Sequence, residues 1–94
     1  MQYTIAWTEN ARDEIRAILD YMLDHWEDGV TNRLADEIQK VADQLSAFPY
    51  LGIQHERYSS LRLIRVKPYY RLLYTVVEEK KEVLILNVLD TRQQ

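Results

Sequence analysis

The feature that most constrains this chain is a change of hydrophobic period at Phe48-Pro49-Tyr50-Leu51-Gly52. Before it, apolar residues recur at spacings of three and four. After it, they alternate or run in short blocks. The first pattern buries one stripe of a helix, and the second buries one or both faces of a strand. Helices and strands are therefore segregated along the chain, which points to the α+β class rather than to alternating α/β units. At 94 residues the chain makes one domain, 1–94, near the lower end of what folds on a single core.

Within that frame the elements can be placed. Tyr3, Ile5 and Trp7 alternate with Thr4 and Ala6 in a short lead strand. Thr8 or Asn10 can cap the helix that follows, because a short side-chain oxygen accepts an N–H of the first turn. Ala11, Ile15, Ile18, Leu19, Met22 and Trp26 form its buried stripe, and Asp28-Gly29 is expected to break it. A second helix is predicted from about Thr31 to Ala47, with Leu34, Ile38, Val41, Ala42 and Leu45 on one face. Three strands follow: Leu61 to Val66, stopped by Lys67-Pro68; Tyr70 to Val77; and Glu82 to Leu89, after a charged turn at Glu78 to Lys81. The order β-α-α-β-β-β predicts a helical hairpin packed on one face of a mostly antiparallel four-stranded sheet. The lead strand belongs at a sheet edge or beside the last strand, and periodicity does not choose between them.

Composition narrows the chemistry. There is no cysteine, hence no disulfide, thiolate catalysis or Cys-based zinc site. Two glycines cannot build a phosphate-cradling loop. No apolar run approaches the length of a membrane span, and Met1 to Trp7 lacks the pattern of a signal peptide. A cytoplasmic protein without cofactor or membrane partner is expected. His25, among Asp24, Glu27 and Asp28, has no spacing that selects a metal, so no metal site is expected. Ser59-Ser60 has no base at identifiable spacing and reads as a turn.

The net charge of −3 conceals an asymmetry. From Thr8 to Ala47 there are ten acidic and four basic residues, a net of −6. From His55 to Arg71, Arg57, Arg62, Arg65, Lys67 and Arg71 stand against Glu56 alone, a net of +4. Such a basic stretch in an acidic chain marks a surface for a partner. Arg62 and Arg65 fall on opposite strand faces, so only one can share a surface with Arg71. Arg71 itself has two readings at even weight: pairing with a neighbouring carboxylate, or contact with a partner. Tyr70, Leu72, Tyr74 and Val76 share one face and read as core, whereas Tyr69 beside Pro68 is the aromatic better placed for a partner. In the loop Gln54-His55-Glu56-Arg57, Glu56 is the kind of carboxylate that can act as a base.

Several segments together resemble the RelE/ParE toxin superfamily, the toxin components of type II toxin–antitoxin systems of the plasmid stabilisation type. They are Trp7-Thr8-Glu9-Asn10-Ala11, Pro49-Tyr50-Leu51-Gly52, Tyr69-Tyr70-Arg71-Leu72-Leu73-Tyr74-Thr75-Val76, Val83-Leu84-Ile85-Leu86-Asn87-Val88-Leu89 and the nearby Arg92. The resemblance spans nearly the whole chain and implies the fold already read from periodicity. It also implies a cognate antitoxin whose flexible segment wraps and blocks the toxin in a hetero-oligomer.

The superfamily holds two activities: RelE-like members cut messenger RNA on the ribosome, and ParE-like members inhibit DNA gyrase by binding. The resemblance places a phosphate-contacting role at Arg71, with basic positions at Arg62 and Arg92. For a ribonuclease the set would be Glu56, Arg62, Arg71, Asp90 and Arg92, with Glu56 or Asp90 as base. Asp90 stands about where many relatives carry His, and no Tyr follows the last strand. A pI near 5.3 also suits a polyanionic target poorly. The ParE-like branch is therefore the closer one, with Arg57, Arg62, Arg65, Lys67, Tyr69, Arg71 and Arg92 as partner contacts. The alternatives are the ribonuclease and an inactive member kept for partner binding.

Overall fold

The computed structural model describes residues 2–25 and 28–92. Strand β1 (Thr4–Trp7) leads into helix α1 (Glu9–His25), followed by helix α2 (Asp28–Ala47). Four more strands follow: β2 (Ile53–Gln54), β3 (Leu61–Val66), β4 (Tyr70–Val77) and β5 (Glu82–Asp90). The sheet order is β1-β5-β4-β3-β2, antiparallel except for the parallel β1–β5 pair.

Thr8 makes the start of α1. Its Oγ1 accepts the N–H of Ala11 at 3.1 Å and its hydroxyl donates to the Leu86 carbonyl at 3.1 Å. One side chain thus caps the helix and ties it to β5. Glu14, one turn on, accepts the Val88 N–H at 2.9 Å, closing the β5 edge that β1 leaves open beyond Ile85. Met22 of α1 and Leu34 near the start of α2 line one groove. At the other end Ser46 donates its hydroxyl to the Tyr3 carbonyl at 2.6 Å. The two helices therefore run antiparallel, as the period pattern predicts.

Both helices cover the same face of the sheet. Ala11, Met22, Leu34, Val41 and Leu45 meet Val66, Tyr70, Leu72, Tyr74, Val83 and Ile85 in one core. Ile15, Ile18, Leu19 and Ile38 pack against it, as the stripes require. Trp26 lies outside the described residues. Between Leu73 and Tyr74 the β4–β5 register slips, leaving Leu86 as an extra residue. That bulge sits where β1 ends and Thr8 engages the Leu86 carbonyl.

Two expectations are corrected. The sheet has five strands, not four, because Ile53 and Gln54 pair with Leu63 and Arg62. Two residues are too few to carry a period. Helix α2 begins at Asp28 rather than near Thr31. A glycine in a first turn costs little, because the N–H groups there have no helical partner to lose. The lead strand satisfies both of its permitted positions at once, lying at an edge and beside the last strand. That makes β5 an interior strand, which explains the complete burial of Val83 and Ile85.

Candidate partner-binding surface

The second face of the sheet is covered by neither helix. Side-chain alternation turns Leu61, Leu63 and Arg65 of β3 outward, with Arg71, Leu73 and Thr75 of β4 beside them. Arg65 and Arg71 stand directly opposite each other in the antiparallel ladder. Like charges so placed repel. Among the described residues neither has a carboxylate partner. The carboxylate that a structural role for Arg71 requires is therefore missing, and its neighbour is a second arginine. The pair borders a groove of about 420 Å³ floored by Ile53, Leu63, Pro68 and Tyr69. Ile53 is 79% exposed, and Phe48, Tyr50 and Leu51 of the preceding turn are exposed as well.

Arg62 does something different. Its Nη1 donates to the Tyr50 carbonyl at 3.1 Å and the Gly52 carbonyl at 2.7 Å, and its guanidinium lies 5.2 Å from the Tyr50 ring centroid. It holds the turn that returns the chain from α2 to the sheet. Buried Tyr74 completes that turn: its hydroxyl donates to the Pro49 carbonyl at 2.9 Å and accepts the Gly52 N–H at 2.8 Å. Burial raises the Tyr74 phenol above its ordinary pKa. A Cβ on Gly52 would stand 2.6 Å from that hydroxyl and 2.8 Å from the Leu63 carbonyl, so only glycine fits. Tyr50 in turn donates to Glu78, which also accepts Tyr3 at 2.9 Å and Lys81 at 3.1 Å. These bonds, Tyr50's first, hold the Glu78 carboxyl below its ordinary range and raise the Tyr50 phenol.

At the end of the sheet, Arg92 is bound within the chain. Its Nε and Nη2 donate to the two Asp90 oxygens at 3.1 and 2.9 Å, and its backbone N–H reaches Oδ1 at 2.9 Å. The guanidinium stacks 3.6 Å from the Tyr69 ring centroid, so half-buried Tyr69 is partly roofed by it. The pairing lowers the Asp90 carboxyl and raises the Arg92 guanidinium.

The five residues of the ribonuclease set are thus dispersed. Arg71 is on the open face, Arg62 bonds carbonyls on the helix side, and Asp90 is occupied by Arg92. Glu56 and Arg57 are exposed in the β2–β3 loop, where the His55 ring does structural work. Its Nδ1 accepts the N–H groups of Arg57 at 3.0 Å and Tyr58 at 3.2 Å. Lys67 is exposed in the β3–β4 turn, lining a separate groove with Met22, Leu34 and Pro68. His25 stacks on Tyr21 with ring centroids 4.1 Å apart. Among the described residues no group of His, Asp or Glu is placed to hold a metal, and no helix is long and apolar enough to cross a membrane. Sequence reasoning missed Glu14 and the internal use of Arg62. Glu14 carries no signal, and Arg62's partners are carbonyls, which sequence does not distinguish.

A family model described as the ParE toxin of the type II toxin–antitoxin system parDE matches residues 5–94. The chain belongs to the ParE toxin family. Solved structures agree on the toxin's fold. It superposes on a chain of the chromosomal ParDE toxin–antitoxin system from P. aeruginosa with a TM-score of 0.75 at 16% identity, covering 95% of this chain and 96% of that one. The toxin–antitoxin complex RelBE2 from Mycobacterium tuberculosis gives 0.70 at 24%, covering 96% and 99%. The isolated E. coli RelE toxin gives 0.69 at 19%, covering 98% and 87%. A search of curated sequences gave no match. The chain is thus a toxin of a type II toxin–antitoxin system, of the ParE/RelE superfamily.

Proposed function

We propose that this toxin acts by binding, as a ParE-like inhibitor of DNA gyrase, and that its cognate antitoxin silences it by covering the open sheet face. The observation that carries this reading is the uncompensated Arg65–Arg71 pair above an apolar floor. A partner that supplies a carboxylate there relieves the repulsion and buries Ile53 and Leu63 in one event. An acidic, partly apolar antitoxin segment that orders on binding has that chemistry. No catalytic dyad is required for such a role. Asp90 and Arg62, two members of the alternative ribonuclease set, are committed to bonds inside the chain.

The test is pulse-labelling of DNA and protein synthesis just after tightly controlled induction in a bacterial host. The reading predicts that DNA synthesis falls first, with a DNA-damage response, and that co-expressed antitoxin restores both. Translation stopping first would overturn it in favour of messenger RNA cleavage on the ribosome, and Glu56 and Arg71 would then be the residues to replace.

A further inference from the structure

Arg92 is well shaped to take a phosphate. Its plane is fixed by stacking on Tyr69, and the Nε–Nη2 edge that would grip two oxygens is presented as a fork. That edge is filled by Asp90, which accepts both donors. Asp90 is held close to Arg92. Its backbone is paired with Tyr70 at the end of β5, and its side chain is only 17% exposed. The carboxylate sits two residues from its guanidinium, so an external phosphate competes against an anion tethered at high effective concentration.

The surroundings otherwise favour nucleic acid. Tyr69 also borders the groove that holds Arg65 and Arg71, through Thr91. On its other side it lines a groove of about 470 Å³ with Tyr21 and Tyr70. Three arginines and the accessible rings of Tyr69 and Tyr21 thus border adjoining grooves, the combination that tracks a single strand and stacks its bases. Asp90 is the one carboxylate bound to any of these arginines among the described residues.

We infer that Asp90 is a specificity residue: it acts as a built-in counter-ion that keeps Arg92 from binding the phosphates of single-stranded nucleic acid. The inference rests on the reading that the toxin works through protein contacts. Asp90→Asn keeps the shape and one acceptor for the Arg92 N–H groups while removing the charge that competes with phosphate.

The experiment is fluorescence anisotropy of labelled single-stranded RNA and DNA oligonucleotides with purified toxin over a salt series. Wild-type toxin, Asp90→Asn, Asp90→Ser and the double variant Asp90→Asn/Arg92→Ala are compared, each checked for a cooperative melt. The expected result is weak binding by the wild type and roughly tenfold or tighter binding by both single variants, the worth of one charge-assisted contact. The gained affinity should fall with salt and vanish in the double variant. Two results overturn the inference: single variants that bind no better than the wild type, or a double variant that keeps the gain. Tight binding by the wild type would instead strike at the protein-contact reading itself, so the two failures are distinguishable. Asp90→Ser keeps the test decisive should Asp90→Asn not fold.

Discussion

Arg62 donates to two carbonyls, and that is what separates it from Arg65 three positions on, which has no carboxylate partner among the described residues. The two should respond oppositely to truncation. Arg62→Ala removes donors from the Tyr50 and Gly52 carbonyls and should cost about 1–2 kcal/mol of stability, read by chemical denaturation. Arg65→Ala or Arg71→Ala relieves a like-charge contact. Each should leave the melting temperature unchanged or slightly raised while abolishing toxicity and weakening antitoxin binding by calorimetry. A large loss of stability in Arg71→Ala would contradict the assignment. Glu78 contributes to the acid limb of stability. Its folded pKa is depressed from a value near 4.5, so its contribution is present above that value and is lost as pH falls through the folded one. Asp90, also depressed, adds to the same limb. Glu78→Gln should therefore flatten the loss of melting temperature below about pH 4.5 while lowering stability at neutral pH.

At the scale of elements, the turn between α2 and β2 is where packing is least forgiving. Gly52→Ala forces a methyl against the Tyr74 hydroxyl and the Leu63 carbonyl, and should destabilise by about 1–3 kcal/mol. Tyr74→Phe leaves a buried N–H and carbonyl without their partner and should cost a similar amount, about 1–3 kcal/mol. Thermal melts of the two variants check both. The elements themselves were largely legible. Ile15, Ile18, Leu19 and Met22 mark α1 by spacing alone, and the alternation of Tyr70, Leu72 and Tyr74 marks the buried face of β4. What was not legible depends on distant groups. Ile53–Gln54 is too short to show alternation, and the parallel place of β1 beside β5 rests on a long-range backbone ladder, which Thr8 and Glu14 supplement with bonds to β5. The candidate surface was half legible. Alternation showed that one of Arg62 and Arg65 joins Arg71, but choosing Arg65 needed the observed register, and Arg92's capture by Asp90 was invisible.

For the whole molecule, the division of the sheet is the feature on which the proposed function rests. One face is sealed by two helices and a continuous core; the other carries apolar side chains and two facing arginines with nothing laid over them among the described residues. An open face of this kind is stable only while it is small or partnered, and the proposed antitoxin contact would meet the second condition. The acidic helical half and the basic β3–β4 stretch also make the molecule strongly asymmetric, which would orient it towards the acidic partner proposed above before contact. The most direct measurement is a supercoiling assay with purified DNA gyrase and purified toxin, wild type beside Arg71→Ala, with added RNA followed for cleavage. The account predicts that wild-type toxin inhibits supercoiling, that Arg71→Ala does not, and that the RNA stays intact. Uninhibited gyrase with cleaved RNA would contradict it.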